Sequence, residues 1–320
     1  MSTSADVLIL GAGPAGLTAA ISLARQMQSS IVFDDGAYRN DPAEYMHLIP
    51  GFDHVSPEHF RKTARENMLG NYEHISIRMA KVDSAEKDEA TGRFTIKDDA
   101  GVAWQGKKLV LANGVEDVFP PIEGYGACWG KAIFHCLFCK GYEQRGQASA
   151  GVLAIGPPSA NPAAVLHVAR QVVPLSKKVT IYTNGVPETA SALSSATEGV
   201  SVFHVDDREI EQFVLLEGNQ GLRLQFKDGS SAEEAFLAHT PGTRPRGPFA
   251  QQLGLEQTPG GDVKAGPPFY QTSVKGVFAA GDNCGLMKNV PHAIFSGSLA
   301  GMGAQSQIVA EELGQKPLFG

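Results

Sequence analysis

The chain has few cysteines, little excess charge and no long apolar segment, and each shortage excludes a class of protein. Its 320 residues include four cysteines, too few for the disulfide framework of a small secreted domain. The 27 basic and 34 acidic residues give a net charge of −7, which argues against a nucleic-acid or anionic-membrane surface. No apolar run approaches a membrane span, and the first residues lack the pattern of a secretory signal. We therefore expect a cytoplasmic protein that binds neither nucleic acid nor membrane.

Two of the cysteines form a CxxC motif, Cys136-Leu-Phe-Cys139. Such a pair is either half of a zinc site or a redox-active disulfide. A structural zinc ion needs two more Cys or His ligands at similar spacing, and Cys128 and Cys284 stand alone. A redox pair needs two thiols on one helical turn and a partner that exchanges electrons. The nucleotide-binding motifs elsewhere in the chain favour redox chemistry, and we expect no metal.

The N-terminal segment follows the pattern of a βαβ nucleotide-binding unit. The pattern predicts a buried strand at Val7–Leu10, a helix at Leu17–Gln28 and a second strand at Ile31–Phe33. Between the first strand and the helix stands Gly11-Ala-Gly-Pro-Ala-Gly16, which permits a tight turn and the close approach of a pyrophosphate. Asp34 lies 23 residues after Gly11, where an acid suits a ribose hydroxyl.

The later part of the chain predicts a second α/β region inserted into the first. Pro120 and Pro121 mark a boundary, and a new strand–helix pattern begins at Gly151–Gly156 and continues through a helix at about 162–173. A Pro/Gly-rich segment at 241–248 returns the chain to the first region, which ends in a helix at about 293–313. The expected domain segments are 1–118, 119–243 and 244–320, of which the first and third form one domain.

This order of motifs resembles the low-molecular-weight thioredoxin reductase family across nearly the whole chain. The segments that carry the resemblance are Gly11–Gly16, His47–Phe52, Leu111–Gly114, the CxxC and Gly276–Asp282. The resemblance implies an α/β fold of two Rossmann-like nucleotide-binding domains. The FAD domain would be split in sequence around a smaller inserted domain that carries the CxxC. It also implies a homodimer.

The same resemblance implies where FAD would bind. The implied residues are Gly11, Gly13, Pro14, Ala15 and Gly16 at the pyrophosphate, Asp34 or Asp35 at the adenosine ribose, Arg39, Asn40 and His47 along the flavin side, Asn113 and Gly114 in place of the usual Thr-Gly, Gly281 and Asp282 at the ribityl chain, and Ala293 and Ile294 at the pyrimidine edge. The helix that begins near His292 would direct its N-terminus at that edge, where negative charge develops on reduction.

One departure from the reductases lies in the turn that would hold NADPH. It reads Gly156-Pro-Pro-Ser-Ala-Asn-Pro162, and proline has no N–H to offer a phosphate. Asn161-Pro162 is typical of an ordinary helix cap and first helical residue. After the next strand no arginine suited to a 2′-phosphate appears before Arg208. We therefore expect no competent NADPH site.

The second departure is Lys140, which follows the second cysteine where reductases usually carry Asp. The pattern Cys-Leu-Phe-Cys-x-Gly-Tyr-Glu, together with Asp34–Asn40, resembles the fungal dithiol oxidases of dithiodiketopiperazine biosynthesis, the gliotoxin-oxidase type. Those enzymes close a disulfide in a small molecule without NADPH. In that branch the residue after the second cysteine is commonly His, so Lys140 departs from this pattern too and leaves the base unassigned.

The resemblance to the oxidases implies a route for electrons. A small-molecule dithiol would attack the disulfide at Cys136, and its second thiol would resolve the mixed disulfide. The Cys139 thiolate would pass two electrons to FAD, and O2 would reoxidise the flavin to give hydrogen peroxide. His135 or His292 would serve as the base for the substrate thiol.

Two other functions fit parts of the pattern. An NADPH-dependent reductase of thioredoxin or of a small disulfide would need the proline-containing turn to bind NADPH. A flavoprotein that binds a partner without turnover would have no need of the intact CxxC.

Overall fold

The computed structural model describes residues 3–156 and 161–318, and the chain folds as two compact units. The first unit comprises Met1–Glu116 and Thr243–Gly320, and the inserted unit comprises Asp117–Gly242. The two segments of the first unit share one hydrophobic core, to which residues from Val7 to Ile308 contribute. The first unit is therefore discontinuous in sequence because its core needs side chains from both segments.

The first unit is built on one seven-stranded sheet. Its strands are β1 (Ser4–Leu10), β2 (Ser30–Asp34), β3 (Ile75–Met79), β4 (Val82–Lys87), β5 (Phe94–Asp98), β6 (Ala103–Leu111) and β17 (Val277–Ala279). The order is β3-β2-β1-β6-β5-β4, and β17 also pairs with β6. Strands β3, β2, β1, β6 and β17 run parallel, whereas β4 and β5 form an antiparallel extension. Parallel pairing buries both faces, which explains the continuous apolar run of β1.

Four helices belong to the first unit: α1 (Pro14–Ala24), α2 (Pro57–Asn71), α7 (Phe249–Gln252) and α8 (Val290–Glu312). Helices α1 and α8 cross in backbone contact. A Cβ on Gly297 would lie 2.2 Å from the carbonyl oxygen of Ala15, so only glycine permits this approach. Only a short turn separates β1 from α1, so the contact between α1 and α8 also positions the N-terminus of α1.

The sequence pattern predicted the start of two of these helices too late in the chain. Helix α1 begins at Pro14 rather than Leu17, because Gly13 is its N-cap and Pro14 its first residue. Helix α8 begins at Val290 rather than near Ala293. The side chain of Asn289 caps it by accepting a hydrogen bond from the His292 amide at 2.9 Å.

The inserted unit contains a parallel sheet and an antiparallel sheet. The parallel sheet has the order β11-β10-β9-β15-β8, and β12-β13-β14 form the antiparallel sheet. The strands are β8 (Ile133–Phe134), β9 (Ala150–Leu153), β10 (Val179–Tyr182), β11 (Phe203–Asp206), β12 (Ile210–Leu215), β13 (Leu222–Phe226), β14 (Ser231–Glu234) and β15 (Leu237–Ala238). The helices are α3 (Tyr125–Cys128), α4 (Leu137–Lys140), α5 (Pro162–Val172) and α6 (Pro187–Ala196).

Two further strands, β7 (Val115–Val118) and β16 (Gly242–Pro245), pair where the chain passes between the units. The α/β class with two Rossmann-like parallel sheets, expected from the sequence, is confirmed. Among the helices of residues 3–156 and 161–318, none is both long enough and apolar enough to cross a membrane.

Candidate active site

Four of the predicted FAD-binding segments start at the carboxyl ends of neighbouring parallel strands of the first unit. The residues in register at this edge are Leu10, Phe33, Leu111 and Ala279. They lead directly into the glycine turn, the acidic pair, the Asn-Gly pair and the Gly-Asp motif. In an open parallel sheet, a dinucleotide binds in the crevice outside this edge. The topology thus brings together residues from four distant parts of the chain.

The glycine turn leaves the N-terminus of α1 open. Gly11 has φ +106°, and a Cβ there would lie 2.2 Å from the carbonyl oxygen of Ala112. Gly13 has no heavy atom within 4 Å of its virtual Cβ, and no side chain caps the helix. The first amides of a helix lack intrahelical partners and carry the positive end of its dipole. The open space at Gly13 and the uncapped amides fit the pyrophosphate of FAD.

Asp34, the predicted ribose ligand, is engaged by two other side chains. It is 1% exposed, and both carboxylate oxygens accept from the Tyr38 hydroxyl at 2.6–2.7 Å. Arg65, on α2, donates to the same carboxylate and forms an ion pair with it. Burial and the adjacent Asp34 raise the pKa of Tyr38 to about 12. The acid is thus held rigidly at the end of β2, and its contact with a ribose stays a prediction.

Other residues predicted along the cofactor form polar pairs within the first unit. The Asp35 carboxylate pairs with Arg246 at 2.9 Å, and Asp282 pairs with Arg39 at 3.0 Å. Arg61 Nη1 donates to Asn40 Oδ1 at 3.3 Å, and His47 Nε2 lies 3.2 Å from His54 Nδ1.

Asn283 links by hydrogen bonds two of the segments that are predicted to bind FAD, the one after β17 and the one after β6. Its Nδ2 donates to Leu111 O and to Asn113 Oδ1, both at 2.9 Å, and its Oδ1 has no partner in the described part of the chain. Gly281, at φ +82°, donates its amide to Ser296 Oγ of α8 at 2.9 Å. The loop of Gly281 and Asp282 is therefore bonded to both β6 and α8, and next to it Gly114 adopts φ +69°.

His292 lies in the first turn of α8, next to the predicted flavin ligands Ala293 and Ile294. Its Nε2 is 3.3 Å from the Tyr270 hydroxyl, and its Nδ1 is buried without a partner among the described residues. A Cβ on Gly285 would lie 2.1 Å from the ring, so the imidazole packs directly against that glycine. Burial lowers the pKa of His292. In this arrangement Nδ1 is closed to solvent and Nε2 faces the Tyr270 hydroxyl.

The CxxC forms a disulfide, as the redox interpretation predicted. Cys136 and Cys139 are joined with a Cα–Cα distance of 5.2 Å, and both are half-buried in the inserted unit. Cys136 is the N-cap of α4, with extended backbone angles. The helix then places Cys139 one turn later, which is the spacing that a CxxC disulfide requires.

Basic and aromatic side chains flank this disulfide in the sequence of the inserted unit. His135 is exposed, and its ring stacks on Trp129 with 5.7 Å between centroids. Lys140 places its Nζ 5.9 Å from the centroid of Phe134, and within residues 3–156 and 161–318 no carboxylate pairs with it. A positive charge near a cysteine stabilises its thiolate, which favours thiol–disulfide exchange.

Helix α5 of the inserted unit corresponds in the sequence pattern to α1 of the first unit. Its N-terminus is capped by a side chain, whereas the N-terminus of α1 is not. Asn161 Oδ1 accepts a hydrogen bond from the Ala163 amide at 2.9 Å, and Pro162 contributes no N–H. The prediction of an ordinary cap at Asn161-Pro162 is confirmed. The predicted turn itself includes Pro157–Ala160, which lie outside the described residues.

Arg208, the first arginine after β10, is occupied within its own unit. Its guanidinium bonds both carboxylate oxygens of Asp206 and the Ser230 hydroxyl, and it lies 3.9 Å over the Phe226 ring. Three of the five guanidinium N–H donors are therefore engaged, and the side chain is oriented by contacts within its own unit.

Sequence reasoning missed Tyr38, Arg65, Tyr270 and Asn283. Arg65 could have been found through α2, because Ser56 followed by Pro57 is a helix-start signal and the Ser56 side chain does cap the helix. Tyr270 gave no local signal. Its role depends on contact with His292, which is 22 residues away.

Comparison with known proteins agrees with this geometry. A model of the pyridine nucleotide-disulphide oxidoreductase family matches residues 5–297. Thioredoxin reductase tcpT of Claviceps purpurea (strain 20.1) is 51% identical over 323 residues, covering 100% of this chain and 99% of that protein. Thioredoxin reductase sirT of Leptosphaeria maculans is 38% identical over 316 residues, covering 96% and 95%. The crystal structure of an oxidoreductase from Agrobacterium tumefaciens has a TM-score of 0.82 at 30% identity, covering 97% and 99%.

These matches confirm the resemblance to thioredoxin reductases and to their fungal branch, and with it FAD as the cofactor. The open glycine turn and the CxxC disulfide are the two parts that such chemistry needs. The chain belongs to the pyridine nucleotide-disulphide oxidoreductase family and is an FAD-dependent disulfide oxidoreductase.

Proposed function

We propose that this protein is a dithiol oxidase, which closes an intramolecular disulfide in a small-molecule dithiol and uses O2 as the electron acceptor. The observation that carries the proposal is the capped N-terminus of α5, where the Asn161 side chain accepts the hydrogen bond of an amide that a cofactor phosphate would otherwise use. The pairing of Arg208 with Asp206 supports it. Electrons would then enter through the substrate thiols rather than from NADPH.

The reaction balances with these residues. One substrate thiolate attacks Cys136 and forms a mixed disulfide, which releases the Cys139 thiolate. The second substrate thiol then displaces Cys136, so that the substrate gains one S–S bond and the protein holds two thiols. FAD, when bound, would supply the acceptor for the electron pair of these thiols, and O2 as the final acceptor would yield one hydrogen peroxide for each disulfide formed.

His135 is the base that the geometry favours. It is exposed and precedes Cys136 in the chain, whereas His292 is half-buried, with Nδ1 closed to solvent and Nε2 facing the Tyr270 hydroxyl. A general base must reach the proton it removes, so accessibility favours His135. His292 would then hold its part of the cofactor loop through Tyr270.

The substrate class rests on the resemblance to the fungal dithiol oxidases. We propose a dithiodiketopiperazine-like secondary metabolite in its dithiol form. We also propose a homodimer, on the resemblance to the low-molecular-weight thioredoxin reductases, and a cytoplasmic location, on composition. Light scattering of the purified protein measures the oligomeric state, and a monomer would contradict the first proposal.

Two reagents test the direction of electron flow. The purified yellow protein is mixed without oxygen with NADPH, and separately with a small dithiol such as dithiothreitol. The dithiol should bleach the flavin and NADPH should not. In air, the dithiol should drive oxygen uptake and peroxide formation. Cys136→Ser and Cys139→Ser should abolish both effects, whereas Cys128→Ala, which changes a buried thiol of the same unit, should retain them.

A reductase is the second candidate, because the similar proteins from Claviceps purpurea and Leptosphaeria maculans are named thioredoxin reductases. Bleaching by NADPH would reject the oxidase and support this function. If neither reagent changed the flavin spectrum, both would be rejected in favour of a flavoprotein without turnover.

A further inference from the structure

The two residues between the cysteines differ sharply in exposure. Leu137 is 7% exposed and packs into the core of the inserted unit, whereas Phe138 is 70% exposed. Consecutive helical positions differ by about 100°, so Phe138 lies on a different face of α4 from the buried Leu137. Nothing in the packing of the inserted unit requires an aromatic ring at this position.

Tyr142 continues the same exposed face. It lies four residues after Phe138, and Gly141 between them keeps helical angles of φ −75° and ψ −35°. Side chains four apart on helical backbone are neighbours. Arg145 holds Tyr142 in place, with its guanidinium 4.0 Å over the ring and Nη1 donating to Tyr142 O at 2.7 Å.

Phe138 and Tyr142 are the two most exposed aromatic side chains in the described part of the chain, at 70% and 72%. Single exposed apolar residues are common, but here two adjoin the redox disulfide of Cys136 and Cys139. Large aromatic surfaces gain most when a ligand covers them. The pair therefore has the composition and the position of a substrate-contacting surface.

We propose that Phe138 and Tyr142 form an aromatic platform on which the ring of an apolar dithiol substrate packs while its thiols reach Cys136. The platform selects ring-bearing dithiols over small flexible ones. It consists of two side chains bordered by the charged Lys140 and Arg145, which matches one small ring system. A protein partner needs roughly 1,000 Å² or more of buried surface. This inference rests on the proposed function and names the specificity determinants of the same site.

A comparison of two dithiols distinguishes a role of the platform in binding the substrate ring from a role in the thiol–disulfide reaction itself. The FAD-loaded protein is mixed without oxygen with o-xylylenedithiol, whose alkyl thiols flank an aromatic ring, and with dithiothreitol, which has no ring. Phe138→Leu and Tyr142→Leu keep apolar side chains but remove the aromatic face. The second-order rate constant of flavin bleaching by o-xylylenedithiol should fall about tenfold in each variant, since aromatic contacts contribute about that much. The rate constant with dithiothreitol should stay within about twofold.

Tyr142→Phe is the matched control, because it keeps the ring and removes only the hydroxyl; it should retain the wild-type preference. Equal losses with both dithiols would show that the rings support the disulfide itself and would overturn the platform alone. Unchanged rates with both would also overturn it. If neither dithiol bleached the wild-type flavin, both the proposed oxidase function and the proposed platform would be rejected.

Discussion

Asn161 Oδ1 accepts a hydrogen bond from the backbone amide of Ala163 at 2.9 Å and closes the N-terminus of α5 with the protein's own side chain. The corresponding position of α1 is Gly13, which has no side chain to offer. The N-caps of these two helices therefore differ, and this difference is the basis of our proposal that the first unit binds a dinucleotide phosphate and the inserted unit does not.

Asn161→Ala should lower the free energy of unfolding of the inserted unit by about 1 kcal/mol, because the cap is lost. The flavin absorbance should not change, since the predicted FAD residues belong to the first unit. Denaturant unfolding followed by circular dichroism measures the first effect and visible spectroscopy the second. Asn161→Ser keeps a capping oxygen and should behave as wild type; an equal loss in both variants would contradict the capping role.

Gly11→Ala should lower the stability of the protein, whereas Gly13→Ala should lower its affinity for FAD. At Gly11 a Cβ would lie 2.2 Å from Ala112 O on a backbone with φ +106°, so this variant should be destabilised even without cofactor. At Gly13 the backbone is extended, with φ −74°, and the added methyl meets no protein atom. Gly13→Ala should therefore fold as apoprotein and bind FAD more weakly. Flavin titration and thermal unfolding of both apoproteins measure this; full FAD affinity in Gly13→Ala would refute the predicted pyrophosphate site.

His239 should make the protein less stable in mild acid. It is buried, with Nδ1 2.6 Å from the Tyr125 hydroxyl and Nε2 3.0 Å from Ile155 O. Burial lowers the pKa of His239 to about 4 from the ordinary value of 6.5. The unfolded chain takes up the proton near pH 6.5 and the folded protein only near pH 4. The free energy of unfolding should therefore fall as pH drops through this window, by about 3 kcal/mol in all.

Chemical unfolding at about pH 7.5 and about pH 5 measures this dependence. His239→Gln should flatten it, because the titrating group is removed. His204→Gln, at an exposed position on β11 of the same unit, should leave it unchanged. If the free energy of unfolding of His239→Gln fell with pH as much as that of the wild type, the acid sensitivity would belong to other groups.

The oxidised protein should show no reactive thiol. Cys128 is fully buried and Cys284 is 8% exposed. Burial raises the pKa of Cys128 and raises that of Cys284 to about 12, so neither forms a thiolate at neutral pH. A disulfide-based thiol reagent should detect no thiol in the native oxidised protein and both after denaturation. Cys136→Ser should add one reactive thiol at Cys139. Labelling of the native wild-type protein would show that a buried cysteine is accessible.

Much of the redox centre could be predicted from the sequence, because its signals are local. The CxxC spacing, the glycine turn after an apolar run and the Asn161-Pro162 cap each depend on residues a few positions apart. The disulfide and the cap are confirmed. Helix starts were less certain, as Val290 shows, because the capping residue Asn289 stands outside the apolar pattern.

The sequence by itself determined the α/β fold class and the redox interpretation of the cysteine pair, since strand and helix periodicities and motif spacings act over short distances. FAD followed from the family resemblance that those motifs carry. Only the tertiary structure decided which polar groups are already engaged. Asp34 is held by Arg65 from 31 positions away, and Tyr270 meets His292 from 22 positions away. Burial and pairing depend on such distant contacts, and a local pattern contains no information about them. For the same reason the core packing of Leu137 and the exposure of Phe138 between the two cysteines were decided by the fold.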